Sequence, residues 1–237
     1  MIVGLVHPGE MGAAVGRQLL AAGHDVVWAS EGRSDETRAR AELFRDVETL
    51  AALAAAAGVV LSICPPHAAL DVATELDGFD GLYVDANAIS PLRTREIAAF
   101  HPRFVDGGIV GGPPDEPGTT LYLSGGEAAA VAALFDGTPV ATRVVGDASA
   151  VKMAYAAWTK GTAALLLAIR DVVRHYDVED EWRRAAPELE QLLVRAERSA
   201  DAKGWRWVGE MEEIADTFSA AGLPDGFHRA AAEVFGR

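Results

Sequence analysis

The stretch GLVHPGEMG, residues 4–12, puts a short turn between an apolar run and a helix-forming run. A G-x-G-x-x-G turn at such a junction cradles the pyrophosphate of a dinucleotide. Its first glycine permits a tight turn, its second lets backbone approach the phosphates, and its third lets helix pack on strand. In register these positions are His7, Gly9 and Gly12. Only the turn glycine is replaced, and Pro8 restricts His7 towards extended geometry, so proline shapes this turn. Helix N-terminal amides beyond it would still carry about half a positive charge. On these residues alone two readings stand. Either His7, Pro8, Gly9, Glu10, Met11 and Gly12 form a phosphate cradle, or the turn joins strand to helix and binds nothing.

The second chemically suggestive run is WASEGRSDETRAR, residues 28–40. A Rossmann fold that binds NAD usually ends its second strand in a carboxylate for the ribose diol. Here Ser30 occupies that position, and Arg33 and Ser34 follow. A 2′-phosphate is matched by hydroxyls and a planar guanidinium, so these three residues favour NADP. Glu31 argues the other way, since it could bind a ribose diol and repel phosphate; NAD stays open as the less favoured cofactor. Arg33 also has an ordinary reading as a solvated loop charge.

The elements that must position these groups follow a regular alternation. Runs such as IVGL, HDVVWA, GVVLSIC, GLYVDA and RFVDGG read as strands. Helical stretches separate them, at residues 11–22, 34–44, 47–57, after Pro66 and after Ser90. GVVLSIC is apolar throughout, as in a strand buried on both faces. The pattern predicts an α/β Rossmann domain, a doubly wound parallel sheet over residues 1–146. A smaller all-α domain is expected over 147–237, with helices at 148–176, 178–202, 208–221 and 224–235. Gly204, Gly222 and Pro224 punctuate them.

Composition excludes several classes. A net charge of −14 over 237 residues argues against sequence-blind binding to nucleic acid or anionic membrane. No apolar run reaches membrane-span length, and MIVGLV lacks the basic flank of a signal peptide. The lone cysteine, Cys64, rules out an internal disulfide framework and suits a reducing cytoplasm. The six histidines, at 7, 24, 67, 101, 175 and 228, show no metal-ligand spacing, so no metal is expected. The run EMEE, 210–213, reads as a solvated helix face. The tryptophans of EWRR and WRW read as packing for the helical domain or a dimer interface.

GLVHPGEMGAAVGRQLLAAGHDVVWAS, SICPP, VDANAISP, DGGIVGG, GTTLYLSGG and KMAYAAWTKG occur in an order that resembles the β-hydroxyacid dehydrogenase superfamily, relatives of 6-phosphogluconate dehydrogenase. The resemblance covers about the first 160 residues. HPGEMG, ASEGRS and AWTKGTAALL look like one branch, whose helical C-terminal domain is short. It implies that the Cys64–Pro65–Pro66 loop lies along the cofactor and that Asn87 sits near nicotinamide and substrate. Cys64 can equally be a small buried hydrophobe, and Asn87 an ordinary turn former. The resemblance further implies that Lys152 is the general acid/base at an interdomain cleft, where family members carry a lysine; a solvated helix lysine is the alternative. Relatives dimerise through the helical domain, so a homodimer is expected.

Two departures from the family pattern concern the substrate. An asparagine one turn after the lysine is here Tyr155, which shares a face with Lys152. Its hydroxyl could orient substrate or donate a proton, and its ring could equally be core; Thr159 lies one turn further on. The family's D-x-P-V-S-G-G loop reads Asp106-Gly107-Gly108-Ile109-Val110-Gly111-Gly112. Gly111 and Gly112 keep the backbone cradle, while Val110 removes a hydroxyl donor, which points to a bulkier and less polar substrate than a sugar acid. The expectation is an NADP-dependent oxidoreductase acting on a hydroxy-acid-like or keto substrate. An imine reductase on the same scaffold and a non-catalytic NADP-binding regulator are the alternatives.

Overall fold

The computed structural model describes residues 1–236. The chain divides into two compact units, Met1–Lys152 and Met153–Arg237.

The first unit is built on eight strands among the described residues. They are β1 (Ile2–Leu5), β2 (Asp25–Trp28), β3 (Arg45–Asp46), β4 (Val59–Ser62), β5 (Leu82–Asp85), β6 (Phe104–Val110), β7 (Thr120–Ser124) and β8 (Ala141–Val144). Their order is β3-β2-β1-β4-β5-β6-β7-β8, and β1 to β6 are parallel. The sheet reverses its winding between β1 and β4, the place where such sheets open a crevice at the carboxyl ends of the strands. Strand periodicity explains the two cores. Val3 and Leu5, Val26 and Trp28, Leu82 and Val84 face one side. Val27, Val60 and Tyr83 face the other. Both faces are therefore apolar, and helices cover them.

One feature departs from the expected all-parallel sheet. β7 runs antiparallel to β6, with Gly108 opposite Tyr122, and β8 runs parallel to β7. A hairpin-like return from β6 to β7 needs no crossover helix, which is why alternation alone did not signal it. The connecting helices are α1 (Glu10–Ala21), α2 (Asp35–Arg40), α3 (Leu50–Ala56), α4 (Ala69–Glu75), α5 (Pro91–Ala98) and α6 (Ala128–Ala133). Side-chain caps set several starts. Ser34, Thr49 and Ser90 accept from the amides of Thr37, Ala52 and Arg93.

The long helix α7 (Ala148–His175) starts in the first unit and continues into the second. The second unit adds α8 (Glu179–Ala185), α9 (Glu190–Ala220) and α10 (Gly226–Phe235). The expected break at Gly204 is absent, because α9 runs through it. A helical glycine costs about 1 kcal/mol, and here Gly204 is buried beside the Phe235 ring of α10, where packing offsets that cost. The break lies instead at Pro187, whose ring cannot continue a helix. The expected solvated face at EMEE is also corrected. Met211 and Glu213 are buried, and Glu210 pairs with Lys160 at 2.5 Å. Trp207 packs edge-on against Phe235, whereas Trp158 and Trp205 are exposed. No helix of the described residues is long and apolar enough to cross a membrane.

Candidate functional site

The turn after β1 is compact. The His7 carbonyl accepts from the Gly9 amide at 2.8 Å, and the first helical bond of α1 runs from Ala13 N to the Gly9 carbonyl at 2.8 Å. Gly9 is the N-cap, and no side chain caps this helix end. A Cβ on Gly9 would meet open space, whereas a Cβ on Gly12 would lie 2.2 Å from the His7 carbonyl oxygen. The two glycines thus differ: Gly12 permits a close approach of turn and helix, and Gly9 leaves the helix N-terminus open.

The residue in the first glycine's place has a partner. His7 Nε2 lies 2.5 Å from Arg33 Nη1, on the loop after β2. Burial, and then the neighbouring guanidinium, lower the His7 pKa to about 4. His7 is therefore neutral near pH 7, and its Nε2 accepts from Arg33. His7 Nδ1 and Arg33 Nε are both buried without a hydrogen-bond partner. Arg33 is half-buried, which sets aside its reading as a fully solvated loop charge.

The other residues expected around the ribose are committed differently. Ser30 is buried, and its hydroxyl bonds to the Asp46 carboxylate; that bond helps hold Asp46 below the usual carboxylate range despite an opposing desolvation penalty. The Ser30 carbonyl accepts from Arg38 at 2.8 Å. Ser34 spends its hydroxyl capping α2, and Glu31 is exposed. Asp46 is a residue that sequence reading missed. β3, which brings it beside β2, has two residues and no periodicity to reveal it.

The loop after β4 is organised by Asn87. Its Oδ1 accepts from the Cys64 amide at 2.5 Å, its Nδ2 donates to Ser62 and Asp85, and its own amide donates to Asp85. Asn87 is buried and shapes the loop rather than standing open to solvent. Burial pushes the Cys64 thiol up to about 12, so it stays protonated, and Cys64 packs against one of the two cores. Pro65 and Pro66 begin a 3-10 turn that leads into α4.

On β6, Asp106 anchors the start of α7. Its carboxylate accepts from the amides of Ala148 and Ser149 at 2.9 Å, from the Ser124 hydroxyl at 2.7 Å and from the Ser149 hydroxyl at 2.5 Å. A negative charge at a helix N-terminus is favoured by the helix dipole. One turn later Lys152 Nζ donates to the Ile109 carbonyl at 2.8 Å. Gly108 makes this approach possible, since a Cβ there would lie 2.6 Å from the Ala148 carbonyl oxygen and 3.0 Å from Lys152 Cβ. Val110 ends β6. Gly111 follows with φ +123°, and the Gly112 carbonyl accepts from the Thr119 hydroxyl at 2.5 Å. Tyr155 and Thr159 lie on the part of α7 in the second unit. Tyr155 is 44 % exposed, so it is not a core aromatic. The Thr159 hydroxyl bonds back to the Tyr155 carbonyl at 3.1 Å.

The first unit therefore gathers the turn after β1, Arg33, the Cys64 loop, Asn87, the end of β6 and Lys152 around the carboxyl ends of its parallel strands. Among the described residues no group of His, Cys, Asp and Glu could hold a metal.

Comparisons with known proteins agree with this architecture. Residues 2–88 match the family "NADP oxidoreductase coenzyme F420-dependent", and residues 174–237 match "Domain of unknown function (DUF1932)". An uncharacterised 28.5 kDa protein of Methanothermus fervidus is 29% identical over 201 residues, 80% of this chain and 78% of that protein. The solved structure of MTH1747, a conserved protein of unknown function described as similar to 3-hydroxyacid dehydrogenases, aligns with a TM-score of 0.71 at 25% identity, over 100% of this chain and 96% of its own. The 3-hydroxyisobutyrate dehydrogenase of Mycobacterium tuberculosis, solved with L-serine, aligns at 0.70 and 16% identity over 99% and 92%. A reductive aminase from Aspergillus terreus, solved with NADPH and ethyl levulinate, aligns at 0.60 and 19% identity over 100% and 92%. The chain is thus similar to the F420-dependent NADP oxidoreductase family over residues 2–88 and to the DUF1932 family over residues 174–237, and it shares the fold of the solved 3-hydroxyisobutyrate dehydrogenase.

Proposed function

We propose that this protein is an NADP-dependent oxidoreductase acting on a hydroxy-acid-like or keto substrate, with Lys152 as general acid/base. The observation that carries the reading is the seating of Lys152 Nζ at the carboxyl end of β6, 2.8 Å from the Ile109 carbonyl. That end of the sheet also carries the His7–Gly12 turn. The residues present fit a dinucleotide. The α1 N-terminus is uncapped by side chains, Gly9 leaves its approach open, and Arg33 Nε is a buried donor without an acceptor.

The nicotinamide, when bound, supplies or accepts the hydride. The chain's own part is to hold the dinucleotide and to move a proton. The amides of the first α1 turn would hold the pyrophosphate, Arg33 the 2′-phosphate, and the loop led by Cys64 would line the cofactor. Lys152 takes the substrate hydroxyl proton in oxidation and returns it in reduction. The Ile109 carbonyl fixes where its nitrogen stands. The amides of Gly111 and Gly112 are the donors for a substrate carboxylate or carbonyl. Val110 offers no hydroxyl there, which favours a less polar substrate. Val110 also keeps the imine reductase reading in view, and the substrate screen therefore includes imines. The lone Cys64 agrees with a cytoplasmic protein.

The test starts with nicotinamide fluorescence during titration with NADPH and NADH. NADPH is expected to bind at least tenfold more tightly. Arg33→Ala is expected to remove most of that preference, because a charge-assisted bond is worth about 1.5–3 kcal/mol. A screen of hydroxy acids, ketones and imines follows with the preferred cofactor. Binding without turnover of any of them favours the regulatory alternative. A folded protein that binds neither cofactor refutes the reading.

We further propose a homodimer formed through the helical unit. Tyr155, Trp158, Thr162, Leu165, Ile169 and Val172 recur on α7, with Tyr176 just past its end, at spacings of three and four, the repeat that lays a seam along one helix face. Five of these residues are large, hydrophobic and exposed. Light scattering is expected to give twice the chain mass, and Leu165→Glu with Val172→Glu to give a monomer. A wild-type monomer at micromolar concentration would exclude it.

A further inference from the structure

A glycine at position 7, which the dinucleotide fingerprint prefers, would have no side chain to offer; His7 spans the gap to Arg33. We propose that His7 is the positioning residue that holds Arg33 for the 2′-phosphate, so that the residue breaking the fingerprint sets cofactor preference. This rests on the NADP reading above.

The geometry supports it in three steps. His7 Nε2 takes Nη1 of the guanidinium. That leaves the edge formed by Nε and Nη2, the fork that meets two phosphate oxygens in a bidentate pair. On that edge Nε is buried and has no hydrogen-bond partner. A buried donor without an acceptor is costly, and a phosphate oxygen would satisfy it. Holding the guanidinium in advance also spares the ordering of a long side chain on binding. His7 performs this as a neutral acceptor, the state in which its burial and the adjacent guanidinium keep it.

The test compares dissociation constants for NADPH and NADH in the wild type, His7→Ala, His7→Gln, Arg33→Ala and the His7→Ala/Arg33→Ala double variant. His7→Ala is expected to weaken NADPH about tenfold and to change NADH less than twofold. His7→Gln, which keeps a side-chain acceptor, is expected to recover part of the NADPH affinity. The double variant is expected to be no worse than Arg33→Ala alone. Retained NADH binding shows that the turn is still folded. If His7→Ala weakens both cofactors equally, His7 only shapes the turn and the inference fails while the NADP reading stands. If the wild type shows no preference for NADPH, the NADP reading fails first and takes the inference with it.

Discussion

Lys152→Ala is expected to lower kcat by roughly 10²–10⁴-fold, the usual contribution of a positioned proton-transfer group, with the best substrate from the screen. NADPH affinity is expected to stay within twofold, since the proposed phosphate contacts come from the α1 turn and Arg33. The loss belongs to proton transfer and not to charge alone, and Lys152→Arg separates the two. Arginine keeps a cation at the site but does not give up its proton under ordinary conditions. A general acid/base role predicts that Lys152→Arg is about as inactive as Lys152→Ala. A purely electrostatic role predicts that arginine restores most of the rate. A kcat for Lys152→Ala within threefold of wild type would remove Lys152 from the chemistry. Attention would then pass to Tyr155, one turn further along α7.

The turn, the buried strands and some helix starts are legible in the sequence, and what escapes it has physical causes. The turn at His7–Gly12 announced itself through the spacing of its glycines, of which only Gly12 answers a steric demand within the chain. Gly12 has a carbonyl 2.2 Å from its missing Cβ, and Gly9 has empty space. The buried strands announced themselves by continuous apolar runs, and Val59–Ser62 is buried at every position. Contacts across long sequence separations were silent. Nothing in HPGEMG says that His7 meets Arg33, 26 residues later. Nothing in DANAIS says that Asn87 holds the Cys64 amide. A single residue type there serves a loop as well as it would serve a ligand, so sequence left both roles open. Helix starts were legible at Ser34 and Ser90, which cap them, whereas the Thr49-capped start, expected at 47, lies at Leu50. A helix end was misjudged at Gly204, where burial against α10 outweighs a local propensity.

Asp106 is the clearest case of a long-range role, and its removal carries the second large expected effect. The carboxylate collects two amides and two hydroxyls from β7 and the first turn of α7, in a buried position. Asp106→Ala leaves these donors without an acceptor and removes the charge that opposes the helix dipole. Water will reach some of them, so the penalties do not add, and the expected cost is about 3–5 kcal/mol. For a chain of this length that lowers Tm by roughly 10 °C. Ser149→Ala is the control that removes a single hydroxyl from the same cluster, and about 1 kcal/mol is expected for it. Asp106→Asn preserves the shape but turns one oxygen into a donor facing donors, so it should fall between the two. The functional consequence follows from distance along the helix. Lys152 is three residues beyond Ser149, so a loosened first turn displaces Nζ from the Ile109 carbonyl. Asp106→Asn is therefore expected to lose turnover at temperatures where thermal melting shows it fully folded, with NADPH binding retained. An Asp106→Ala protein that melts within 3 °C of wild type would refute the anchoring role. An Asp106→Asn protein of full activity would show that the seat of Lys152 is set by β6 and Gly108 alone.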